Sequence, residues 1–87
     1  MKNLNATVYT FSDISEFGKF LAYCVEQDIS VWRLYWDERE RDQRCYCVDW
    51  KERRCYYADR SYYLQEGYKI YNPSFGFDQF GKIKMWV

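Results

Sequence analysis

Three of the four cysteines in this chain lie within the segment RCYCVDWKERRCYY, residues 44–57. Cys45 and Cys47 are two positions apart, so on a strand both side chains would leave the same face. Cys55 follows after a polar turn, and Cys24 lies well upstream. Such a group of thiols could bind zinc, form a disulfide, or serve as small buried side chains on a β-hairpin.

The spacing of these cysteines argues against a zinc site. Zinc-binding cysteines commonly come as pairs separated by two residues, whereas here one residue separates the first pair and the chain contains no histidine. A disulfide between Cys47 and Cys55 would require the two residues to lie opposite each other. A three-residue turn would place them so, whereas a two-residue turn would place Val48 opposite Cys55, and the sequence leaves this register open. We expect half-buried thiols, no metal and no other cofactor.

The residues that could support catalysis are few. The absence of histidine removes the commonest general base and metal ligand. Arg53 and Arg54 could lower the pKa of a nucleophilic Cys55, but arginines occur beside a cysteine by chance in so basic a segment. Carboxylates cluster in the charged run over residues 37–44, where they would be solvated, and the four glycines are too scattered to cradle a phosphate. We therefore predict a protein that is not an enzyme.

The composition indicates a single small domain with an aromatic core. A chain of 87 residues leaves no room for two independent cores, so residues 1–87 are expected to form one domain. Tyr, Phe and Trp make up 23% of the chain, with ten tyrosines among them. Each tyrosine hydroxyl needs water or a hydrogen-bond partner, so we expect a surplus of these side chains at the surface.

The amino-terminal segment MKNLNATVYTF lacks the uninterrupted apolar run of a signal peptide. No later segment of the sequence is long and apolar enough to span a membrane. Both observations favour a cytoplasmic location, where cysteines are normally kept as thiols.

The first part of the chain predicts a strand followed by a helix. Residues 6–11 are rich in β-branched and aromatic side chains, which favours a strand. Ser12 is a suitable N-cap for a helix of roughly four turns that would end near residues 28–30. Its expected apolar stripe, at spacings of three and four, is Ile14, Phe17, Leu21 and Val25, with Cys24 beside it.

The middle of the chain predicts an antiparallel meander over residues 31–58. Residues 31–36 alternate between two faces, and strands are expected again at 45–50 and 53–58, joined by the turn WKER. The charged run between the first two strands is expected to be a solvated loop.

The last part of the chain predicts shorter elements. Asp59 or Ser61 should cap a brief helix over residues 62–66, which a glycine then ends. Strands are expected at 68–71 and 82–87, on either side of the turn-rich segment FGFDQFG. The predicted fold is α+β, with one amphipathic helix packed on an antiparallel sheet that contains a meander.

Basic and aromatic side chains are interleaved in the second half of the chain, and they are the best candidates for a binding surface. Tyr, Trp and Arg dominate protein interfaces, and thirteen basic against thirteen acidic residues argue against a nonspecific polyanion binder. The candidate contact residues are Arg53, Arg54, Tyr56, Arg60, Tyr62 and Tyr63.

The predicted function is the binding of a partner protein, as a small inhibitor or accessory protein of the kind found in phages would do by occupying its partner's surface. The alternative is single-stranded DNA or RNA binding, in which bases stack on the tyrosines and the arginines contact phosphates. No membrane partner is expected, and the oligomeric state is left open.

Overall fold

The largest element of the fold is a mixed five-stranded sheet. A computed structural model describes residues 2–32 and 36–87, and the spatial order of the strands in this sheet is β2-β4-β3-β1-β5. In chain order the strands are β1 (Ala6–Tyr9), β2 (Ser30–Val31), β3 (Arg44–Asp49), β4 (Arg54–Asp59) and β5 (Ile70–Tyr71).

The predicted meander over residues 31–58 is wrong in its topology. β3 and β4 do form an antiparallel hairpin, and β1 pairs antiparallel with β3, but β2 pairs parallel with β4 and β5 pairs parallel with β1. β1 and β2 therefore run in the same direction, and parallel strands need a crossover connection, which a helix supplies here. The strand predicted at 31–36 is present at Val31, and its residues 33–35 lie outside the described residues.

That crossover helix is α1 (Ile14–Glu26), and its start differs from the prediction by one residue. Asp13 rather than Ser12 is the N-cap, because its extended backbone lets its carboxylate accept a hydrogen bond of 2.9 Å from the Glu16 backbone N–H. Asp28 follows the helix with a φ of 56°, in the left-handed region that commonly ends a helix.

The buried face of α1 is rotated by roughly 70° from the predicted stripe, taking 100° per residue. Phe17, Phe20 and Cys24 are the buried residues of the helix, whereas Ile14 and Val25 of the predicted stripe are exposed. Phe17 of the predicted stripe is buried, as is Cys24, which was predicted beside it, and Leu21 packs against the core as a half-buried side chain. The tertiary contacts of the Phe20 ring decide between the two faces.

The main core lies between α1 and one face of the five-stranded sheet, which we call the inner face. It consists mainly of aromatic rings: Phe20 lies 4.8 Å from Phe11 and 5.8 Å from Tyr9 between ring centroids. Phe17 lies 4.7 Å from Tyr46 and stacks on Trp36 at 5.4 Å. This confirms that the domain buries an aromatic core.

The opposite, outer face of the sheet has its own smaller cluster of buried residues. Val8, Cys45 and Cys47 lie on this face and contact Tyr63 of the second helix, α2 (Arg60–Gln65). Asp59 precedes this helix as its N-cap residue, but its side chain makes no capping hydrogen bond and instead contacts the Arg44 guanidinium at 3.1 Å. The helix is followed by Gly67 with a φ of 88°, as the sequence predicted for its end.

A separate two-stranded sheet packs beside α1, where the sequence predicted a turn-rich segment before the last strand. Its strands are β6 (Ser74–Phe77) and β7 (Ile83–Trp86), so the first three residues of FGFDQFG belong to a strand and only its last four lie in the turn. Asp78 stabilises this turn by accepting hydrogen bonds from the backbone N–H groups of Phe80 and Lys82. Phe75 and Met85 pack against the main core, which explains why this hairpin forms.

Within residues 2–32 and 36–87, neither helix is long and apolar enough to cross a membrane.

The observed face of α1 can be tested by substitution. Phe20→Ala should lower the free energy of unfolding by about 3–5 kcal/mol, because it leaves a cavity among buried rings. Val25→Ala, a matched substitution on the exposed side of the same helix, should change it by less than about 0.5 kcal/mol. Urea denaturation followed by tryptophan fluorescence measures both values. Equal losses for the two variants would contradict this assignment of the buried face.

Candidate functional site

Among the described residues, α2 leaves the β2 and β4 end of the outer face uncovered, and large aromatic side chains of this end and of α2 beside it are exposed. Trp32 is 61% exposed, Tyr62 55% and Tyr56 39%. The rings of Trp32 and Tyr56 lie 6.4 Å apart between centroids, and the Arg54 guanidinium lies 5.7 Å from the centre of the Trp32 ring. We call Trp32, Arg54, Tyr56 and Tyr62 the aromatic surface.

The register of the β3–β4 hairpin explains why these residues face outward. Val48 pairs with Cys55, which is the pairing expected for the shorter of the two possible turns. Cys55 and Tyr57 therefore pack against the inner core, and Arg54 and Tyr56, which alternate with them, point to the outer face. Trp32 follows β2, which lies beside β4, so the parallel pairing brings it close to Tyr56.

Next to the aromatic surface is a groove of about 240 Å³ with tyrosine walls. The rings of Tyr62 and Tyr63 meet nearly at right angles, at 5.2 Å and 76°, and Tyr63 meets Tyr68 in the same way, at 5.4 Å and 84°. We call this the tyrosine groove, and its lining residues are Asn3, Ala6, Cys47, Asp49, Tyr56, Tyr62, Tyr63, Glu66 and Tyr68. Tyr56 and Tyr62 belong both to this groove and to the aromatic surface.

The fold places only some of the six predicted contact residues on one surface. Arg54, Tyr56 and Tyr62 lie on the aromatic surface, whereas Tyr63 is only 8% exposed and forms part of the buried outer cluster that borders the groove.

The two remaining arginines lie away from these rings. The Arg53 guanidinium donates to the carbonyl oxygen of Gln27, just after α1, at 3.4 Å. Arg60 lies beyond the far end of β4, where its backbone N–H donates to the Gln43 carbonyl at 2.7 Å. The predicted basic and aromatic run is therefore divided among several parts of the surface.

Sequence reasoning missed Trp32, Tyr68 and the acidic residues Asp49 and Glu66 as members of this region. Trp32 comes close to Tyr56 only through the parallel β2–β4 pairing, and no local sequence pattern predicted that pairing. Tyr68 was expected in a strand, but it lies before β5, and its backbone N–H donates to the Tyr63 carbonyl.

A larger cavity, of about 550 Å³, shares Tyr68 with the tyrosine groove. Two lysines line it and contact aromatic rings: Lys69 Nζ lies 5.0 Å from the Tyr71 ring centre, and Lys2 Nζ lies 5.7 Å from that of Tyr68. Tyr71 packs against the inner core, so Lys69 is not part of the surface around Arg54.

The four cysteines are all buried and unpaired by disulfides. Cys24 and Cys55 meet between α1 and the sheet, where their thiols form a hydrogen bond, whereas Cys45 and Cys47 lie on the outer face. Cys47 pairs with Tyr56 rather than with Cys55, so a disulfide across the hairpin does not fit this register. Among the described residues, no three Cys, Asp or Glu side chains come together as metal ligands would.

Three of these thiols, those of Cys45, Cys47 and Cys55, are kept in their neutral form by raised pKa values. Burial raises the pKa of Cys45 to about 11 and also raises that of Cys47, although the Tyr63 hydroxyl offsets part of the second shift. The pKa of Cys55 is raised as well, through its hydrogen bond with Cys24 and through burial. A reactive cysteine needs the opposite shift, so these positions have the properties of core side chains.

Comparison with known proteins assigns no role to these surfaces. No protein family matches the chain, and no match was found among curated proteins or solved structures. What the surfaces bind has to follow from their own residues, distances and charges.

The buried thiols predict a loss of stability at alkaline pH. Cys45 ionises near its ordinary pKa of 9.0 when unfolded and at about 11 when folded. Above pH 9.0 the Cys45 thiol loses its proton in the unfolded chain but keeps it in the folded chain. The contribution of this thiol to the free energy of unfolding is therefore complete below about pH 9 and is lost as the pH rises towards about 11. Burial also raises the pKa of Tyr9 from 10.0 to about 12, so the loss of stability continues up to about pH 12.

Denaturation curves measured from neutral pH upward would check this dependence. The free energy of unfolding should fall steadily above about pH 9, and Cys45→Ala should show a shallower fall because the shifted thiol is gone. A stability that stays constant or rises over this range would contradict the assignment of neutral, buried thiols.

Proposed function

We propose that this chain is a non-enzymatic domain that binds a partner protein through its aromatic surface, as a small inhibitor or accessory protein would by covering a surface of its partner. The observation that carries the proposal is the contact of Trp32 with both Tyr56 and Arg54 on a part of the sheet that α2 does not cover. A cytoplasmic location and a phage-like accessory role stay predictions from the sequence.

The residue types of the aromatic surface and the anchoring of two of its residues on a central strand favour a protein partner. Trp, Tyr and Arg are the residues that most often contribute large binding energies at protein interfaces, because they offer much contact area with few rotatable bonds. Arg54 and Tyr56 are anchored on β4, which is hydrogen-bonded on both sides, to β3 and to β2. A partner would therefore meet side chains that are already positioned, which lowers the entropy cost of binding.

The charges around the aromatic surface favour a protein over a nucleic acid. Arg54 is directly opposite Asp49 in the hairpin, and Glu66 lines the adjoining groove. These carboxylates would repel phosphates. Arg54 is the first residue of β4 and Arg60 follows its last, a separation of roughly 20 Å at about 3.3 Å per residue, so the predicted basic residues do not form one track.

Single-stranded nucleic acid is the alternative ligand for the aromatic surface. The neighbouring rings of Trp32 and Tyr56, with Arg54 beside them, offer a stacking platform of the kind that unpaired bases use. Such binding would depend on salt, because phosphate contacts release counterions.

The proposal predicts that aromatic substitutions weaken partner binding strongly. Trp32→Ala and Tyr62→Ala should each weaken binding of the captured partner by more than about 2 kcal/mol, with little dependence on salt. Leu64→Ala and Phe80→Ala are matched controls, since both side chains are exposed and lie outside the groove lining, and they should leave affinity unchanged. Capture from a native extract, followed by titration of the purified partner against each variant, measures these effects.

Fluorescence-anisotropy titrations of labelled single-stranded DNA and RNA at about 50 mM and 200 mM salt complete the test. The proposal predicts no binding by the wild-type chain at either concentration. Oligonucleotide binding that weakens with salt and is lost in Arg54→Glu would replace the protein proposal with the nucleic-acid alternative. A captured partner that binds Trp32→Ala and Tyr62→Ala as tightly as the wild type would remove the aromatic surface as its binding site.

A further inference from the structure

We propose that the tyrosine groove binds the positively charged side chain of a lysine or arginine on the partner protein. The inference deepens the proposed function and depends on it for the source of the side chain, because the groove adjoins the aromatic surface through Tyr56 and Tyr62.

The arrangement of the rings is the first argument for a cationic ligand. Tyr63 meets both Tyr62 and Tyr68 edge to face, so consecutive rings turn through interplanar angles of 76° and 84°. Tyr56, Tyr62, Tyr63 and Tyr68 all line the groove, and the Tyr62 side chain is exposed there. The face of an aromatic ring carries partial negative charge and attracts an ammonium or guanidinium group within about 6 Å of its centre.

The charge of the groove is the second argument. Among residues 2–32 and 36–87, the charged residues that line it are Asp49 and Glu66, and none of its lining residues there is basic. Asp49 is held in place by hydrogen bonds from the Asn3 side-chain amide at 2.9 Å and from the backbone N–H groups of Lys51 and Glu52, both at 3.0 Å. These bonds, led by the one from Glu52, keep the pKa of the Asp49 carboxyl below its ordinary value, so it stays ionised at neutral pH.

Tyr68 shows that a ring of this groove already accepts a lysine within the molecule. Lys2 Nζ lies 5.7 Å from the centre of the Tyr68 ring, in the neighbouring cavity that Tyr68 also lines. That cavity contains Lys2 and Lys69 and would suit an anion, whereas the charged residues that line the tyrosine groove in the described part of the chain are Asp49 and Glu66. The charge difference between the two cavities assigns the cationic ligand to the groove.

The size of the groove suits a single side chain better than a larger ligand. At about 240 Å³ it is smaller than the 300–1,000 Å³ typical of pockets for drug-sized molecules and cofactors. A lysine or arginine inserted from a partner would place its apolar stem against the tyrosines and its charged end near Asp49 and Glu66.

The test uses two small probes that differ in one charged group: N-acetyl-lysine methylamide and its norleucine counterpart, whose side chain lacks the ammonium. NMR titration of the whole chain should show saturable shifts of the Tyr62 and Tyr63 ring signals with the lysine probe. The norleucine probe should bind at least about threefold more weakly, since it loses the interaction with the rings and carboxylates.

Variants at the groove should confirm the site. Asp49→Asn removes the charge but keeps the oxygen that accepts the turn hydrogen bonds, and it should weaken binding of the lysine probe by about threefold or more, as should Tyr62→Ala. Leu64→Ala, on the same helix but outside the groove lining, should bind the probe as the wild type does.

Equal binding of the lysine and norleucine probes, unchanged binding by Asp49→Asn, or no saturable shift with the lysine probe would each overturn the inference. If the lysine probe fails while Trp32→Ala still weakens partner capture strongly, the proposed function stands and only the cationic ligand is rejected. If the lysine probe binds but Trp32→Ala captures the partner normally, the groove is a cation site and the aromatic surface is not the protein-binding site.

Discussion

The pairing of Val48 with Cys55 decides which side chains of β4 are buried and which face solvent. A shift of one residue would turn Cys55 and Tyr57 outward and direct Arg54 and Tyr56 towards α1, where a guanidinium would lose its hydration among aromatic rings. The observed register places the two apolar side chains in the core. The outward position of the arginine and the tyrosine is a consequence of the same pairing, so the register that stabilises the core also produces the candidate binding surface.

The two helices cover the two faces of the sheet to different extents, and the less covered face carries the exposed aromatic surface. β3 is buried on both faces, so each face needs a layer over it. The 13-residue α1 provides one, whereas the six-residue α2 covers only the centre of the other. The uncovered end of the outer face lies at β2 and β4, and Trp32 reaches it because the crossover through α1 carries the chain to that edge. Residues far apart in sequence thus form one aromatic surface.

The sequence predicted the parts of the fold that depend on local patterns. β1, α1, the β3–β4 hairpin and the end of α2 near Gly67 could be found from residue types, spacing and capping signals. The buried face of α1 could not, because Ile14 and Val25 are as apolar as the residues that are buried and only contacts of Phe20 with distant rings separate the two faces. The parallel pairing of β2 and the hairpin formed by β6 and β7 likewise depend on tertiary packing. For the same reason, half of the predicted contact residues were found to lie on one surface, whereas Trp32 and the two carboxylates of the groove were missed.

The division between an inner, buried set of rings and an outer, exposed set is the central claim, and a soluble nitroxide tests it most directly. Its effect on the relaxation of each aromatic ring signal in the NMR spectrum of the free protein reports solvent access. The structure predicts strong broadening for Trp32, Tyr56 and Tyr62 and little for Tyr9, Tyr46 and Phe20, which are at most 2% exposed. Broadening of Tyr46 or protection of Trp32 in the monomer would mean that the two faces have been assigned the wrong way round.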